Sequence, residues 1–454
     1  MELGALLVEY RPLLATLAAI AALLVLILRA RMPAFAALIL VSCFAAIAAG
    51  LAPQAAFDTI TRGMGGTLGF VAIVIGLGAL FGVIIERSGG LERLAGRLLA
   101  GRTPAGGRWL MGGLGLLASI PVFFDVALII LAPLVFAFAR KTGRAALTFG
   151  LPLACGLAVA HSFIPPTPGP IAVAEILGAD LGLVILFGAV AGLPALGLAG
   201  PLYTGWLDRR GLLGGTQAPA PLAGETAEIP VRAGGAAWAA SLICLPLVLI
   251  LIGTLASGLG LGGLAGDTIA FVGHPFMALL IACGATMLVF RPADDAARAR
   301  LREGLARALE PTGAVILVTG AGGAFKQVLV DTGAGAQLAG AATAFGLAPL
   351  VAGFVLALLV RVAQGSATVA MITAAGLTAP LVIAAGLSPA DTALCVIAIA
   401  AGATALSHVN DSGFWLVSRI FGLSERQTLR SWTVATLIIG LAGFATTLIL
   451  SLLV

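Results

Sequence analysis

The chain has 454 residues, of which 60% are hydrophobic and only 10% charged, and its mean hydropathy is +1.12. A soluble globular domain carries about 25% charged residues, so this composition excludes a cytosolic enzyme, a disordered protein and a fibrous protein. The net charge of +5 does not indicate nucleic-acid binding, because the cations are confined to a few short segments between apolar runs. We therefore predict a polytopic membrane protein whose helices each need about 20 apolar residues to cross the bilayer.

Apolar runs follow one another along the whole chain. The first is predicted to be a retained span, because Glu2 and Glu9 precede it, whereas a cleaved signal peptide begins with basic residues. The runs lie at about residues 12–28, 33–51, 65–85, 109–139, 145–178, 182–206, 236–257, 268–290, 312–330, 347–385, 391–418 and 432–454. The runs at 109–139, 347–385 and 391–418 are too long, or too interrupted by Pro, Gly and polar residues, to be single plain helices.

A Pro- and Gly-rich connector at residues 207–235 predicts a cytoplasmic linker between an N-terminal half, residues 1–206, and a C-terminal half, residues 236–454. No polar segment is long enough for a soluble domain. The five cysteines lie singly within apolar runs and form no C-x-x-C pair, so we read them as small core residues. We expect no metal site and no cofactor.

The lysines and arginines predict the orientation of the chain. The chain has 25 Lys and Arg residues, and 21 of them fall in five segments. All five segments can lie in the cytoplasm if runs 109–139 and 347–385 each enter the membrane and leave it on the same side. The five segments are 29–31, 87–144, 209–232, 291–307 and 419–430. The two odd runs are therefore predicted to be re-entrant hairpins, with both termini and residues 331–346 outside. The segments predicted to lie inside include 87–108, 207–235 and 291–311.

An internal repeat relates the two halves. A shift of 244 residues superposes several glycines of residues 69–96 on glycines of residues 313–340. A shift of 247 residues then pairs Ser119 with Ser366 and His161 with His408. We predict a first repeat over about residues 65–178 and a second over about residues 312–418. By the charge pattern, the first helix of the first repeat runs towards the cytoplasm and that of the second repeat runs away from it. The repeats are therefore predicted to be inverted, as in secondary transporters that bind substrate near the middle of the bilayer.

Polar residues cluster where the apolar runs are interrupted. Prolines at positions 165, 166, 168 and 170 prevent a continuous helix after His161, and the second half is broken at residues 364–368 and 407–413. Such breaks are tolerated in a membrane only where they line a cavity or pack within protein. A helix that restarts after a break presents free N–H groups, which favour an anionic group.

These breaks supply the candidate site residues. The predicted substrate-binding residues are Ser119, His161, Gly365, Ser366, Thr368, His408 and Asn410. Asp411 is the first candidate for a coupling proton, with Asp125 and His408 next, because a carboxylate at membrane depth is unfavourable unless it is paired, protonated or hydrated. For His161 and His408 the alternative is a hydrogen-bonded histidine of the core.

Two cations within the apolar runs are further candidates. Lys326 either faces a ligand or pairs with Asp331 on its own helix, and Arg361 either faces an anion or extends to the membrane surface. The glycines of residues 313–323 favour close helix packing rather than phosphate binding, because no G-K-[ST] sequence follows them.

Four stretches at these same breaks carry distinctive residue combinations: 161–170 (HSFIPPTPGP), 320–333 (GAGGAFKQVLVDTG), 361–376 (RVAQGSATVAMITAAG) and 407–415 (SHVNDSGFW). They resemble the signature stretches of the gluconate:proton symporter (gluconate permease) family, and the similarity runs from about residue 29 to the C-terminus. The resemblance implies a permease of the bacterial inner membrane that takes up gluconate or related sugar acids with protons. It also implies inverted repeats with paired re-entrant hairpins.

The chain departs from that family at two places. Members often have His where Thr167 stands, and an aromatic–Glu pair where Phe124 and Asp125 stand. Since the family also includes idonate, fructuronate and D-serine carriers, the resemblance leaves the substrate open.

The sequence thus predicts an all-α, inverted-repeat secondary transporter, not an enzyme, that takes up a small organic anion with protons. Its expected partners are that anion, protons and the lipid bilayer, without nucleic acid, and a homodimer is an open alternative to the monomer. A sodium-coupled carboxylate transporter and a D-serine- or glycerate-type permease are alternatives on the same scaffold. A channel is disfavoured because no ring-forming stretch is repeated. An intramembrane hydrolase using His408, Asp411 and Ser412 is disfavoured because no G-x-S-x-G sequence is present.

Overall fold

The computed structural model describes residues 10–88, 90, 94, 103–213, 236–292, 294–334, 337, 348–409 and 411–454, and it is predominantly helical over them. The first half contains α1 (Arg11–Leu28), α2 (Ala34–Ala49), α3 (Pro53–Arg87), α4 (Pro104–Ala118), α5 (Phe124–Thr142), α6 (Leu147–Phe163), α7 (Pro168–Leu177), α8 (Leu181–Gly197), a π-helical turn (Leu198–Leu202) and α9 (Tyr203–Arg209). The second half contains α10 (Ala236–Gly258), α11 (Gly263–Gly273), α12 (Pro275–Val289), α13 (Asp295–Arg307), a 3-10 turn (Glu310–Thr312), α14 (Gly313–Asp331), α15 (Pro349–Gln364), α16 (Ala367–Ala385), α17 (Pro389–Thr404), α18 (Ser412–Phe421), α19 (Glu425–Thr428), a π-helical turn (Leu429–Thr433) and α20 (Val434–Leu450).

The described helices confirm a polytopic membrane protein. Seven helical segments are long and apolar enough to cross a bilayer, and the bent pair α11–α12 makes an eighth among the described residues. Segment α6–α7 is 94% buried within the protein along its most apolar stretch, whereas α19–α20 is only 33% buried. The polar breaks therefore lie inside the bundle, surrounded by helices that face the lipid.

Two predicted spans differ from the observed helices. Helix α3 begins at Pro53 rather than near residue 65, because the polar and glycine-containing stretch before residue 67 is helical despite its low hydropathy. The run at 268–290 was expected to be one span, but α11 and α12 meet at an angle of 69°. The bend lies at His274, which is extended and is followed by Pro275, and a proline disfavours the helical conformation of the residue before it.

The order of helices and breaks is the same in both halves and confirms the predicted hairpins and broken helices. Helices α4 and α5 are separated by residues 119–123, and α15 and α16 by residues 365–366. Helices α6 and α7 are separated by residues 164–167, and α17 and α18 by residues 405–411. Both α7 and α18 end at a left-handed glycine, Gly178 and Gly422, at the spacing of 244 residues seen in the sequence repeat.

The two repeats interlock rather than lie side by side. Helix α3 packs along α14, and α16 of the second repeat packs against α7 of the first. At the α3–α14 crossing a Cβ atom on Gly63 would come within 2.7 Å of the Gly323 carbonyl oxygen, and one on Gly323 within 2.8 Å of the Gly63 carbonyl oxygen. No larger residue fits there, so these glycines permit close helix packing, as predicted for residues 313–323. The division into halves at residues 207–235 stays a prediction, because residues 214–235 lie outside the described residues.

The predicted orientation can be tested with single cysteines in a cysteine-free background. Cysteines at position 215, in the connector, and at Arg302, which is exposed on α13, are expected to react with an impermeant maleimide only after cell lysis. A cysteine at exposed Gln54, in the first turn of α3, serves as the external control. Strong labelling of position 215 or 302 in intact cells would contradict the orientation and, with it, the inverted arrangement of the repeats.

Candidate functional site

A cavity of about 390 Å³ lies where the breaks of both repeats meet. Its polar wall consists of Asp125, His161, Ser162, Arg361, Ser366, Thr368, Thr404, Asp411, Ser412, Trp432 and Thr436. Three described helices begin at this cavity, α5, α16 and α18, since Phe124, Ala367 and Ser412 all line it. The partial positive charge at the start of each helix therefore favours an anion in the cavity.

A buried ion pair joins the second hairpin to the second broken helix. The Arg361 Nη2 atom lies 2.5 Å from the Asp411 Oδ2 atom, and the two side chains are only 5% and 11% exposed. Arg361 also donates from Nη1 to the carbonyl oxygen of Gly365, whose left-handed conformation (φ 85°) forms the hairpin tip. Arg361 thus faces the cavity rather than the membrane surface, and Gly365 contributes its backbone.

The Asp411 carboxylate accepts further hydrogen bonds within the break. It accepts from the Ser407 hydroxyl and, through Oδ1, from the Gly413 N–H at 3.1 Å, which caps α18. Ser407 is held in turn by α20 and the turn before it. The Trp432 Nε1–H donates to the Ser407 hydroxyl at 2.7 Å. The Thr433 hydroxyl donates to the Ser407 carbonyl oxygen at 2.5 Å, and the Thr436 hydroxyl accepts from the Ser407 N–H at 3.0 Å. These hydrogen bonds fix the position of the Asp411 carboxyl group in this conformation.

Asp125 differs from Asp411 although both line the cavity. It lies in the first turn of α5, is exposed to the cavity, and makes no hydrogen bond or ion pair with another described residue. A free carboxylate and a paired one therefore share one cavity.

The two repeats also meet through a histidine and a threonine. The Thr368 hydroxyl lies 3.5 Å from His161 Nε2, while His161 Nδ1 is buried without a partner among the described residues. Ser119 lies beside His161 in a separate cavity of about 20 Å³, which has room for about one water molecule. Ser119 therefore adjoins the main cavity without lining it.

Phe123 separates the main cavity from a second space. The ring stands at the tip of the first hairpin and lines the main cavity, the small cavity beside Ser119 and a third cavity of about 160 Å³. Glu86, Arg87 and Arg307 line that third cavity, and Arg87 and Arg307 belong to segments that the charge pattern predicts to be cytoplasmic. Phe123, with Val126, which lines both spaces, thus forms an apolar barrier between the main cavity and the charged third cavity.

Three further predicted site residues, Gly365, His408 and Lys326, do not line the cavity. His408 does not line it, and the His408 Nδ1 atom lies 3.0 Å from the carbonyl oxygen of Leu406. Asn410 lies outside the described residues. Lys326 does not line it either and does not pair with Asp331; its electrostatic partner is Glu175 of α7.

Asp331 instead joins α14 to α3. Its carboxylate accepts from Arg62 at 2.8 Å, Thr59 at 2.7 Å and Gln327 at 2.7 Å. Of the two alternatives for Lys326, the pair with Asp331 is not formed, because a position five residues further along an α-helix lies on another face.

The site also contains residues that the sequence did not single out. Trp432 and Thr436 lie in an apolar run after the second repeat, and their polar atoms bind Ser407. The available signal was that a tryptophan N–H within an apolar run needs a hydrogen-bond partner. Among the described residues no group of three His, Cys, Asp or Glu side chains could hold a metal ion.

Comparison with known proteins adds to this geometry. The sequence model described as GntP family permease matches residues 11–453. The low-affinity gluconate transporter of Escherichia coli (strain K12) is 39% identical over 93% of this chain and 94% of its own length. The Gnt-II system L-idonate transporter of the same strain is 34% identical over 95% of this chain and 97% of its own length. The relatives are named as transporters, so a carrier and not an enzyme is indicated.

A solved structure shares the fold. That of Neisseria gonorrhoeae MtrF, described as one of a class of antimetabolite efflux pumps, superposes with a TM-score of 0.63 and covers 91% of this chain and 93% of its own. Its sequence identity is only 15%, so the likeness concerns the fold alone. It places the helices of this chain in the architecture of a membrane transporter, with about seven or eight spans among the described residues.

Proposed function

The chain belongs to the GntP family of permeases, and we propose that it carries gluconate or a related sugar acid into the cell together with a proton. The observation that supports this most strongly is the buried Arg361–Asp411 pair in a cavity on which three described helix N-termini converge. A cation, oriented N–H groups and a protonatable carboxylate are then available to one bound anion. The inner membrane of a bacterium is the location that its relatives and its apolar helices support.

The substrate carboxylate would bind at the tip of the second hairpin. The N-terminus of α16 presents backbone N–H groups there, and Ser366, Ala367 and Thr368 line the cavity. The hydroxyls of the sugar acid would meet the Thr368 and Thr404 hydroxyls and the His161 imidazole on the same wall. A volume of about 390 Å³ lies in the range of small-molecule sites.

Coupling to a proton follows from competition for Arg361. While Asp411 is ionised, its carboxylate forms an ion pair with the Arg361 guanidinium at 2.5 Å. A substrate carboxylate then has to displace the Asp411 carboxylate. Protonation of Asp411 weakens that ion pair and frees the guanidinium for the substrate. Proton and anion therefore favour each other's binding, which is the thermodynamic requirement for symport.

The exchange also keeps the buried site neutral. In the empty site Arg361 and Asp411 carry opposite charges, and in the loaded site the charge of Arg361 faces the substrate carboxylate instead. A buried charge without a partner is strongly unfavourable, so both states can cross between open conformations while a half-loaded state cannot. Asp125, which has no described partner, is the second candidate for the proton.

A counterflow assay in proteoliposomes tests the substrate class. Proteoliposomes containing the purified protein are loaded with one unlabelled compound at a time: gluconate, L-idonate, glycerate, lactate or D-serine. Entry of labelled gluconate from outside in exchange for that compound is then measured. We expect saturable exchange with gluconate or idonate, and concentrative uptake when the outside is made acidic. Uptake that follows a sodium gradient at fixed pH would assign the coupling to sodium. Exchange with none of the five would contradict the substrate class.

A further inference from the structure

A cavity of about 470 Å³ lies at one end of the bundle and shares no lining residue with the anion cavity. It is enclosed by the start of α6, by α9 with the residues that follow it, and by the segment from Leu423 to Val434. Three of the five basic sequence segments meet around it. Arg108 and Arg144 of segment 87–144 both lie 3.5 Å from Asp208, and Arg210 of segment 209–232 lies 5.2 Å from the centre of the Trp206 ring. The Tyr203 hydroxyl donates at 2.6 Å to the carbonyl oxygen of Arg430, in segment 419–430. This end is therefore the one that the positive-inside rule places at the cytoplasmic leaflet.

The wall of this cavity is mainly apolar and partly open to the surroundings of the protein. Leu147, Leu207 and Leu213 are buried in it, while the side chains of Leu212 and Trp206 are 54% and 42% exposed. An apolar wall of this kind suits hydrocarbon chains and does not suit a hydroxylated anion.

Aromatic and basic side chains occupy its rim. Tyr203 and Trp206 are stacked with their ring centroids 6.0 Å apart, and the Arg210 guanidinium lies 5.2 Å from the centre of the Trp206 ring. Arg430 lines the cavity itself. The nearby Asp208 carboxylate is shared between Arg108 and Arg144, and neither Arg210 nor Arg430 forms an ion pair with another described residue. Tyrosine, tryptophan and arginine together are typical of the depth at which lipid phosphates lie.

We propose that this cavity binds an anionic glycerophospholipid of the inner leaflet. Its acyl chains lie along the leucine wall, and its phosphodiester lies between Arg430 and Arg210. The membrane location of the chain suffices for this proposal, which does not depend on the identity of the transported anion.

Native mass spectrometry of the full-length detergent-solubilised protein tests the proposal. Phosphatidylglycerol is titrated against phosphatidylcholine with the same acyl chains. We expect phosphatidylglycerol to bind more tightly, and Arg430→Gln to weaken it about fivefold, as expected for one cation near an anionic lipid. Arg210→Gln with Arg430→Gln is expected to weaken it about 30-fold. Arg298→Gln, on exposed α13, is the matched control and should leave binding unchanged.

Three outcomes would overturn the proposal. One is equal binding of the two lipids, and another is unchanged phosphatidylglycerol binding in the double variant. The third is displacement of phosphatidylglycerol by inorganic phosphate at millimolar concentration, which would assign the cations to a soluble anion. A melting curve of each variant shows whether it is folded. Should Arg430→Gln fail to fold, Leu212→Glu, at an exposed position, places a negative charge at the rim and should weaken binding instead.

Discussion

Proteoliposomes containing Asp411→Asn are expected to lose concentrative uptake driven by an inward proton gradient while they still exchange labelled substrate across the membrane. In the native protein the Asp411 carboxylate lies 2.5 Å from Arg361, and in the proposed mechanism substrate gains access to the guanidinium only when a proton neutralises Asp411. Asparagine is neutral at every pH, so the variant binds substrate without a proton. Binding and exchange survive, but the proton gradient no longer performs work on the substrate.

The same substitution changes the pH dependence of substrate binding. Because the protonated carboxyl group favours substrate, the apparent affinity of the native protein should be highest at low pH and fall as the pH rises. The affinity of Asp411→Asn should be independent of pH over the same range. Counterflow measured from pH 5 to pH 8, with equal pH on both sides, separates this effect from the driving force.

Two further aspartates serve as comparisons. Asp295→Asn, on α13 with a side chain 94% exposed, removes a carboxylate far from the cavity and should leave both uptake and exchange unchanged. Asp125→Asn removes the unpaired carboxylate of the same cavity. Normal concentrative uptake by Asp411→Asn, with loss of uptake in Asp125→Asn, would transfer the coupling role to Asp125.

Much of this fold was predictable because a bilayer imposes simple rules on a chain. Apolar runs, the distribution of Lys and Arg, and the prolines after His161 predicted the spans, the hairpins and the breaks that the structure contains. The start of α3 at Pro53 was missed because hydropathy does not report a polar helix that continues an apolar one. The bend at His274 was missed because Pro275 is a single interruption in an otherwise apolar run, and hydropathy does not report it.

The site was predicted less completely, for a physical reason. Breaks in helices can be read from local sequence, and six predicted residues do line the cavity: Asp125, His161, Arg361, Ser366, Thr368 and Asp411. Which polar group meets which partner depends on contacts between distant elements. Arg361 and Asp411 are 50 residues apart, and the Trp432 N–H that fixes Ser407 comes from beyond the second repeat. The symmetric placement of His161 and His408 in sequence did not extend to the structure, since His161 lies in the last turn of α6 and His408 lies beyond the end of α17.

Arg361→Gln is expected to reduce uptake and counterflow at least about 30-fold. Truncating one partner of a buried, hydrogen-bonded charge pair costs about 2–5 kcal/mol, part of which is the penalty of leaving the other charge unpaired. In this variant the substrate carboxylate loses its cation, and the buried Asp411 carboxylate keeps only the Ser407 hydroxyl and the Gly413 N–H. A lower melting temperature should therefore accompany the loss of transport. Arg62→Gln is the matched control, because the Arg62 side chain in the Arg62–Asp331 pair is 65% exposed. Ion pairs exposed to solvent contribute at most about 1 kcal/mol to the free energy of unfolding.

The double variant Arg361→Gln with Asp411→Asn separates binding from structural support. Removing both charges leaves a neutral pair at a site whose side chains are 5% and 11% exposed, so the melting temperature should recover most of what Arg361→Gln loses. Counterflow should stay absent, because no cation remains for the substrate carboxylate. A thermal shift with added gluconate, present in Asp411→Asn and absent in the double variant, measures the same difference without transport. Restored counterflow in the double variant would show that the pair only joins the hairpin to the broken helix, and the competition mechanism would be wrong.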